Sequence, residues 1–139
     1  CDAAIMSAAV ADYRPAKVSP VKIKKKDAAL EIKLEPTEDI LAALGKQKKK
    51  NQTLVGFALE TNNELENAKK KLKNKNLDFV VLNSLQNKNG GFRHNTNKIT
   101  IIDKNNKTEK FELKSKSDVA ADIVKKIIEN FPAGYDGSV

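Results

Sequence analysis

An α/β fold with a mostly parallel sheet, a β-hairpin and an extended basic flap is predicted for this chain of 139 residues. Two unbroken apolar runs, "TLVGFALE" and "LDFVVLNS", flank a stretch of helical period, the strand–helix–strand order of a parallel crossover. The segments "ALEIKLEP" and "ITIIDKNNKTEKFELK" alternate or double back, as half-exposed strands and hairpins do. "SKSDVAADIVKKIIENF" ends the ordered part with an amphipathic helix.

Taken in order, the residues from Ala3 to Ala11 are small or apolar without alternation. That fits a short strand buried on both faces of a parallel sheet, with helix as the alternative. Pro15 and Pro20 bracket an extended arm, because proline fixes its own φ and biases the residue before it away from helix. In "ALEIKLEP", Leu30, Ile32 and Leu34 alternate with Glu31, Lys33 and Glu35, which turns one face inward and one to water. Thr37 is the expected start of a helix over "EDILAALGKQKKK", with acidic residues early and lysines late to suit the helix dipole. "TLVGFALE" is the next buried strand. "NNELENAKKKLKNKN" reads as a helix with Leu65, Ala68 and Leu72 inside and lysine outside, and "LDFVVLNS" as a third buried strand. "LQNKNGGFRHNTNK" has the Asn and Gly content of a loop. The hairpin that follows turns near Asn105 and Asn106. The last helix is capped by Ser115 or Ser117, with Val119, Ile123, Ile127 and Phe131 inside. Residues 1–131 therefore read as part of one domain and 132–139 as a disordered tail.

Bulk properties bound the function. Hydrophobic residues make up 40%, enough for one core. The 26 Lys and Arg against 18 Asp and Glu leave a net charge of +8, which favours phosphorylated or acidic partners. With Cys1 the only thiol, no intrachain disulfide forms and a reducing, cytoplasmic setting is expected. No apolar run approaches the roughly 20 residues of a membrane span, so no membrane partner is expected. Because the chain opens on Cys1 and enters an apolar run at once, it reads as a fragment lacking its natural beginning. His94, the sole histidine, falls in the loop, which excludes a histidine-rich metal site and argues against Ser-His-Asp catalysis. Neither a Gly-x-Gly-x-x-Gly nor a Walker loop is present. With 2 Tyr and 5 Phe and no basic-aromatic pattern, nucleic acid is not an expected partner.

In an open parallel sheet, ligands bind beyond the carboxyl ends of the strands. The residues there are Asp12 after the first run, Glu60 and Thr61 after the second, and Asn83 and Ser84 after the third. Turns and caps use the same residue types. Lys22, Lys24 and Lys25 lie on the arm. Lys69, Lys70, Lys71, Lys73 and Lys75 lie on the second helix, where a solvated polar face is the ordinary reading. Lys71 and Lys75 stand one turn apart and could grip one polyphosphate.

"SAAVADYRP", "KIKK", the "EDIL" helix start, "VGFALET", "NKNLDFVVLN" and "SKSDVAADIV" occur in the order found in phosphopantothenoylcysteine synthetases. The chain resembles that family from about Ala3 to Ile128. In many bacteria the enzyme is the carboxy-terminal half of a bifunctional coenzyme A biosynthesis protein, whose decarboxylase domain can carry FMN. The resemblance implies a Rossmann-like three-layer fold, incomplete at its amino terminus. It also implies a reaction: CTP activates the carboxylate of 4'-phosphopantothenate as an acyl-cytidylate, and cysteine attacks it to give 4'-phosphopantothenoylcysteine, CMP and pyrophosphate. Mg2+ would assist by neutralising polyanionic groups.

Carried over by position, Asp12 resembles the family's nucleotide-contacting Asp. Met6, Ser7 and Ala8 resemble strand-end contacts made through backbone, and Lys22 the catalytic flap lysine, which also touches the nucleotide. Glu38, Asp39, Ile40 and Leu41 match the helix start bordering the nucleotide, although a proline often stands in the family where Glu38 does. Phe57 matches the aromatic of "GFA", and Lys71 and Lys75 the helix lysines facing the triphosphate. The family's amino-terminal half, with a glycine-rich phosphate loop and an Asn that helps stabilise the acyl-cytidylate, has no counterpart in these residues, so the chain alone is expected to be inactive. Members of the family are dimers, so a homodimer through residues 28–34 and 99–113 is expected. "AAVADYRP" favours CTP over the ATP of eukaryotic relatives. The alternative is a non-catalytic nucleotide-binding or dimerisation module of the same fold.

Overall fold

The two apolar runs become the centre of the sheet because neither face of them meets water. The computed structural model describes residues 1–24, 29–60, 62–84 and 95–131. The strands β1 (Ala3–Met6), β2 (Tyr13–Pro15) and β3 (Leu34–Pro36) precede helix α1 (Ile40–Gln47). Strand β4 (Thr53–Glu60), helix α2 (Glu64–Asn74) and strand β5 (Phe79–Ser84) follow. After β6 (Thr96–Asn97), β7 (Ile99–Asp103), β8 (Thr108–Lys110) and β9 (Lys114–Ser115), helix α3 (Lys116–Asn130) ends the described chain. The main sheet has the order β1-β4-β5-β7-β8. Its β1, β4 and β5 are parallel, whereas β7 and β8 run antiparallel to their neighbours. The expected hairpin is thus the far half of the same sheet, which is mixed around a parallel core.

Alternation along β4 and β5 feeds two layers. Leu54, Ala58, Val80 and Leu82 pack with Leu41 of α1 and Ala68 and Leu72 of α2. Val55, Phe79 and Val81 pack with Val119, Ile123 and Ile127 of α3, and Phe57 joins them. Helices on both faces are why these strands read as continuous hydrophobic runs. Ser115 resolves the capping alternative: its Oγ accepts from the Asp118 amide at 3.1 Å. Asn106, at the hairpin turn, has a φ of 63°, a conformation that Asn tolerates better than most residues.

Three expectations are corrected. Strand β1 stops at Met6 and is half-open, with Ile5 46% exposed, because among the described residues it pairs only with β4. Of "ALEIKLEP", only Leu34–Pro36 is strand, and Leu30, Ile32 and Leu34 are all exposed. A period of two sets which side chains share a face, but another element must cover that face, and none described here does. Helix α1 begins at Ile40 with Asp39 as its cap, the Asp39 Oδ1 accepting from the Ala42 amide at 3.0 Å, in place of Thr37. Within the 99–113 segment, Ile99, Ile101 and Ile102 are buried in the sheet, whereas Leu113 is exposed. The loop carrying His94, the side chain of Ser84, and Lys25, Thr61 and the expected tail lie outside the described residues.

One contact fixes α1 against the end of α2. The Asn76 side chain donates to the Gly45 carbonyl at 2.8 Å. A Cβ on Gly45 would stand 2.0 Å from the Lys75 carbonyl oxygen. Gly45→Ala, which in an exposed helix gains up to about 1 kcal/mol, is therefore expected to destabilise by about 1–3 kcal/mol. Urea unfolding gives the sign directly.

Candidate functional site

At the carboxyl ends of β1, β4 and β5 lies a cavity of about 820 Å³. Its walls are the turn after β1 (residues 6–12), the approach to α1 (residues 37–41), the end of β4 (residues 57–60), Lys71 and Lys75 of α2 and its cap, and one residue each from β5, β6 and α3. Two hydrogen bonds bring the first two walls together. The Thr37 amide donates to the Asp12 carbonyl at 2.9 Å, and the Thr37 hydroxyl donates to the Ala11 carbonyl at 2.5 Å. The ribbon of β2 and β3 closes the intervening chain, so Asp12 and the start of α1 share one rim.

Met6, Ser7, Ala8, Asp12, Glu38, Asp39, Ile40, Leu41, Phe57, Lys71 and Lys75 all line this cavity. Lys22 does not line it; it is exposed on the arm between β2 and β3, as is Lys24. The strand-end residues Glu60 and Asn83 also line the cavity. Glu60 accepts from the Asn67 side chain at 3.2 Å, which fixes the turn into α2. Thr37, Asn97 and Lys116 line it too, without having been expected to. Asn97 and Lys116 reach the site only because β6 pairs with β9 after the hairpin returns, a meeting that nothing local in "TNK" or "SKS" announces.

The lysine run on α2 divides by direction. Lys70 faces water and pairs with Glu66, a contact worth under about 1 kcal/mol. Lys71 turns in and donates to the Phe57 carbonyl at 2.6 Å. Burial pushes the Lys71 pKa below the usual lysine value, the charge of Lys75 adds to this, and Glu60, Asp39 and Asp12 partly offset it. Lys75, at the end of α2, pairs with Asp39 Oδ2 at 2.8 Å. That bond and the Ala42 amide hold the Asp39 carboxyl below its ordinary value. A helix start, two inward lysines and a half-buried strand end together favour a polyanion with a polar organic end.

The protonated state of Lys71 is disfavoured in the folded protein and is restored by a bound anion. Polyphosphate affinity is therefore expected to fall as pH rises through the lowered Lys71 pKa, at a pH below the ordinary lysine range. Lys71→Met keeps the stem packing and is expected to weaken triphosphate binding about 10–100-fold. It should also flatten that pH dependence, as titration calorimetry across pH checks.

Residues 1–131 match the family model described as DNA/pantothenate metabolism flavoprotein C-terminal domain. The chain is 61% identical over 128 residues to a protein named cysteine/cysteine sulfinic acid decarboxylase from an unknown prokaryotic organism, covering 92% of this chain and 36% of that one. It is 43% identical over 126 residues to the coenzyme A biosynthesis bifunctional protein CoaBC of Bacillus subtilis (strain 168), covering 91% and 31%. The chain thus spans about a third of the length of these curated relatives. Among solved structures, the C-terminal domain of a coenzyme A biosynthesis bifunctional protein CoaBC superposes with a TM-score of 0.70 at 38% identity, covering 91% of this chain and 53% of that one. A DNA/pantothenate metabolism flavoprotein from Streptococcus pneumoniae superposes with a TM-score of 0.71 at 21% identity, covering 92% and 63%, a likeness of fold alone.

Proposed function

Because this chain belongs to the family of the DNA/pantothenate metabolism flavoprotein C-terminal domain, we propose that it is the nucleotide-binding part of a CTP-dependent phosphopantothenate–cysteine ligase of coenzyme A biosynthesis. The observation that carries this reading is the inward pair Lys71 and Lys75 at the cavity formed by the parallel strand ends, facing the start of α1. Such a site suits a nucleoside triphosphate bound with its phosphates toward α2.

In the proposed reaction, a carboxylate oxygen of 4'-phosphopantothenate attacks the α-phosphorus of CTP. The bond to the bridging oxygen breaks and pyrophosphate leaves. The cysteine amine then adds to the acyl carbon, loses a proton and expels CMP. Lys71 and Lys75 oppose the charge on the leaving pyrophosphate, and Lys22, brought in by the arm, opposes charge developing at the α-phosphoryl and acyl oxygens. Asp12 and the backbone of residues 6–8 would hold the nucleoside. Among the described residues no three His, Cys, Asp or Glu side chains cluster to hold a metal. On this reading magnesium would be carried largely by the triphosphate itself, with few protein ligands, and would neutralise its charge. FMN belongs, on the same reading, to a decarboxylase domain outside these residues. A homodimer would use the arm, whose Val18, Val21, Ile23, Leu30 and Ile32 are exposed.

The test is pyrophosphate release by the full-length protein with magnesium, 4'-phosphopantothenate and either CTP or ATP, before and after cysteine is added. Release with CTP that requires 4'-phosphopantothenate is the expected result. No release with either nucleotide would leave the site as a nucleotide-binding module.

A further inference from the structure

Among the described residues, one buried polar atom at the cavity has no partner. Asn83 Oδ1, at the end of β5, is buried and accepts no hydrogen bond from the described residues. A buried amide oxygen in that state costs free energy, and native proteins keep few of them. Asn83 lies two and four residues beyond Val81 and Phe79, so it shares their face of the sheet, toward α3. Phe57 lies on this face as well, and Asn97 and Lys116 join the cavity from β6 and from the start of α3. Among the described residues the Lys116 ammonium has no ion-pair partner.

The cavity is thereby divided by the sheet. Lys71, Lys75 and the start of α1 stand on the α2 side, and the orphan amide with its lone lysine stands on the α3 side. Two polyanionic ligands held side by side repel each other, so each needs its own cation. We infer that Asn83 is a positioning residue for the second substrate. Its Oδ1 accepts a hydrogen bond from a hydroxyl or amide N–H of an acyl phosphate ester, with Lys116 beside the anionic end. The inference rests on the proposed ligase reading, in which that substrate is 4'-phosphopantothenate.

Kinetics of Asn83→Leu in the full-length protein test it, with 4'-phosphopantothenate and CTP varied in turn. The KM for 4'-phosphopantothenate is expected to rise about tenfold, the worth of one hydrogen bond to a buried acceptor, with the KM for CTP unchanged. The Tm of the ligand-free protein should hold or rise, since the variant removes an unsatisfied group. Lys116→Ala should move the same KM and leave that for CTP in place. If Asn83→Leu does not fold, Asn83→Ala, which also removes the acceptor, replaces it with the same expected rise in the KM for 4'-phosphopantothenate. An unmoved KM for 4'-phosphopantothenate, or a rise in the KM for CTP instead, overturns the assignment. Wild-type protein that releases no pyrophosphate sinks the ligase reading itself, a result separate from any of these.

Discussion

Replacing Asp78 by alanine is expected to cost about 3–5 kcal/mol of stability, the usual loss when one partner of a buried ion pair is removed. Asp78 sits between α2 and β5 and is only 8% exposed. Its Oδ2 accepts from the Leu54 amide and from Lys48 Nζ, both at 2.8 Å, and Lys104 Nζ lies 3.5 Å from its Oδ1. One carboxylate thus ties the end of α1, the start of β4 and the hairpin turn to β5. Alanine would leave a buried N–H and a largely buried ammonium without an acceptor, and those two orphans account for the size of the effect. Urea unfolding should show a lower midpoint with an unchanged slope. Glu35→Ala, which breaks the exposed pair with Arg14, should cost under about 1 kcal/mol. A midpoint for Asp78→Ala as mild as that of Glu35→Ala would remove Asp78 from this role.

On the proposed ligase reading, Lys22→Ala is expected to lower kcat of the full-length protein about 10²–10³-fold, the range lost with one preorganised donor to developing negative charge. The side chain is exposed on the arm, so circular dichroism and Tm should not change. The arm is rooted at the cavity, since the ribbon of β2 and β3 leads from Asp12 to Thr37, which are hydrogen-bonded to each other. A lysine on such an arm can serve the transition state without contributing to the ground-state cavity. The KM for CTP should therefore change much less than kcat. Turnover close to wild type would take Lys22 out of the mechanism.

Much of the site was legible because of where apolar runs stop. Glu60 and Asn83 are the first polar residues after strand-like stretches, and in a parallel sheet such ends converge on one edge, whereas Asp12 reaches the same edge at the end of the turn that follows β1. The one-turn spacing of Lys71 and Lys75 announced a shared direction, although the same run contains Lys70, which faces water. Only burial distinguishes them, and burial depends on the strand beneath the helix. The separation of Lys22 from the cavity was not legible, because an arm held between prolines has its bends and not its position encoded locally.

Local pattern by itself determined β4, α2 and β5, the turn of β7 and β8 at Asn106, and the buried stripe of α3. Each of these follows from a period or a turn preference that operates within a few residues. Tertiary structure alone decided that β1 is half-open, that Leu30 and Ile32 have no layer to cover them, and that Asn97 and Lys116 join the cavity. It also decided that Asp78, 24 residues from Leu54 and 30 from Lys48, anchors three elements. The physical reason is the same in every case: exposure, pairing and charge compensation belong to groups that meet across the fold, and the periodicity of one segment carries no information about what will face it.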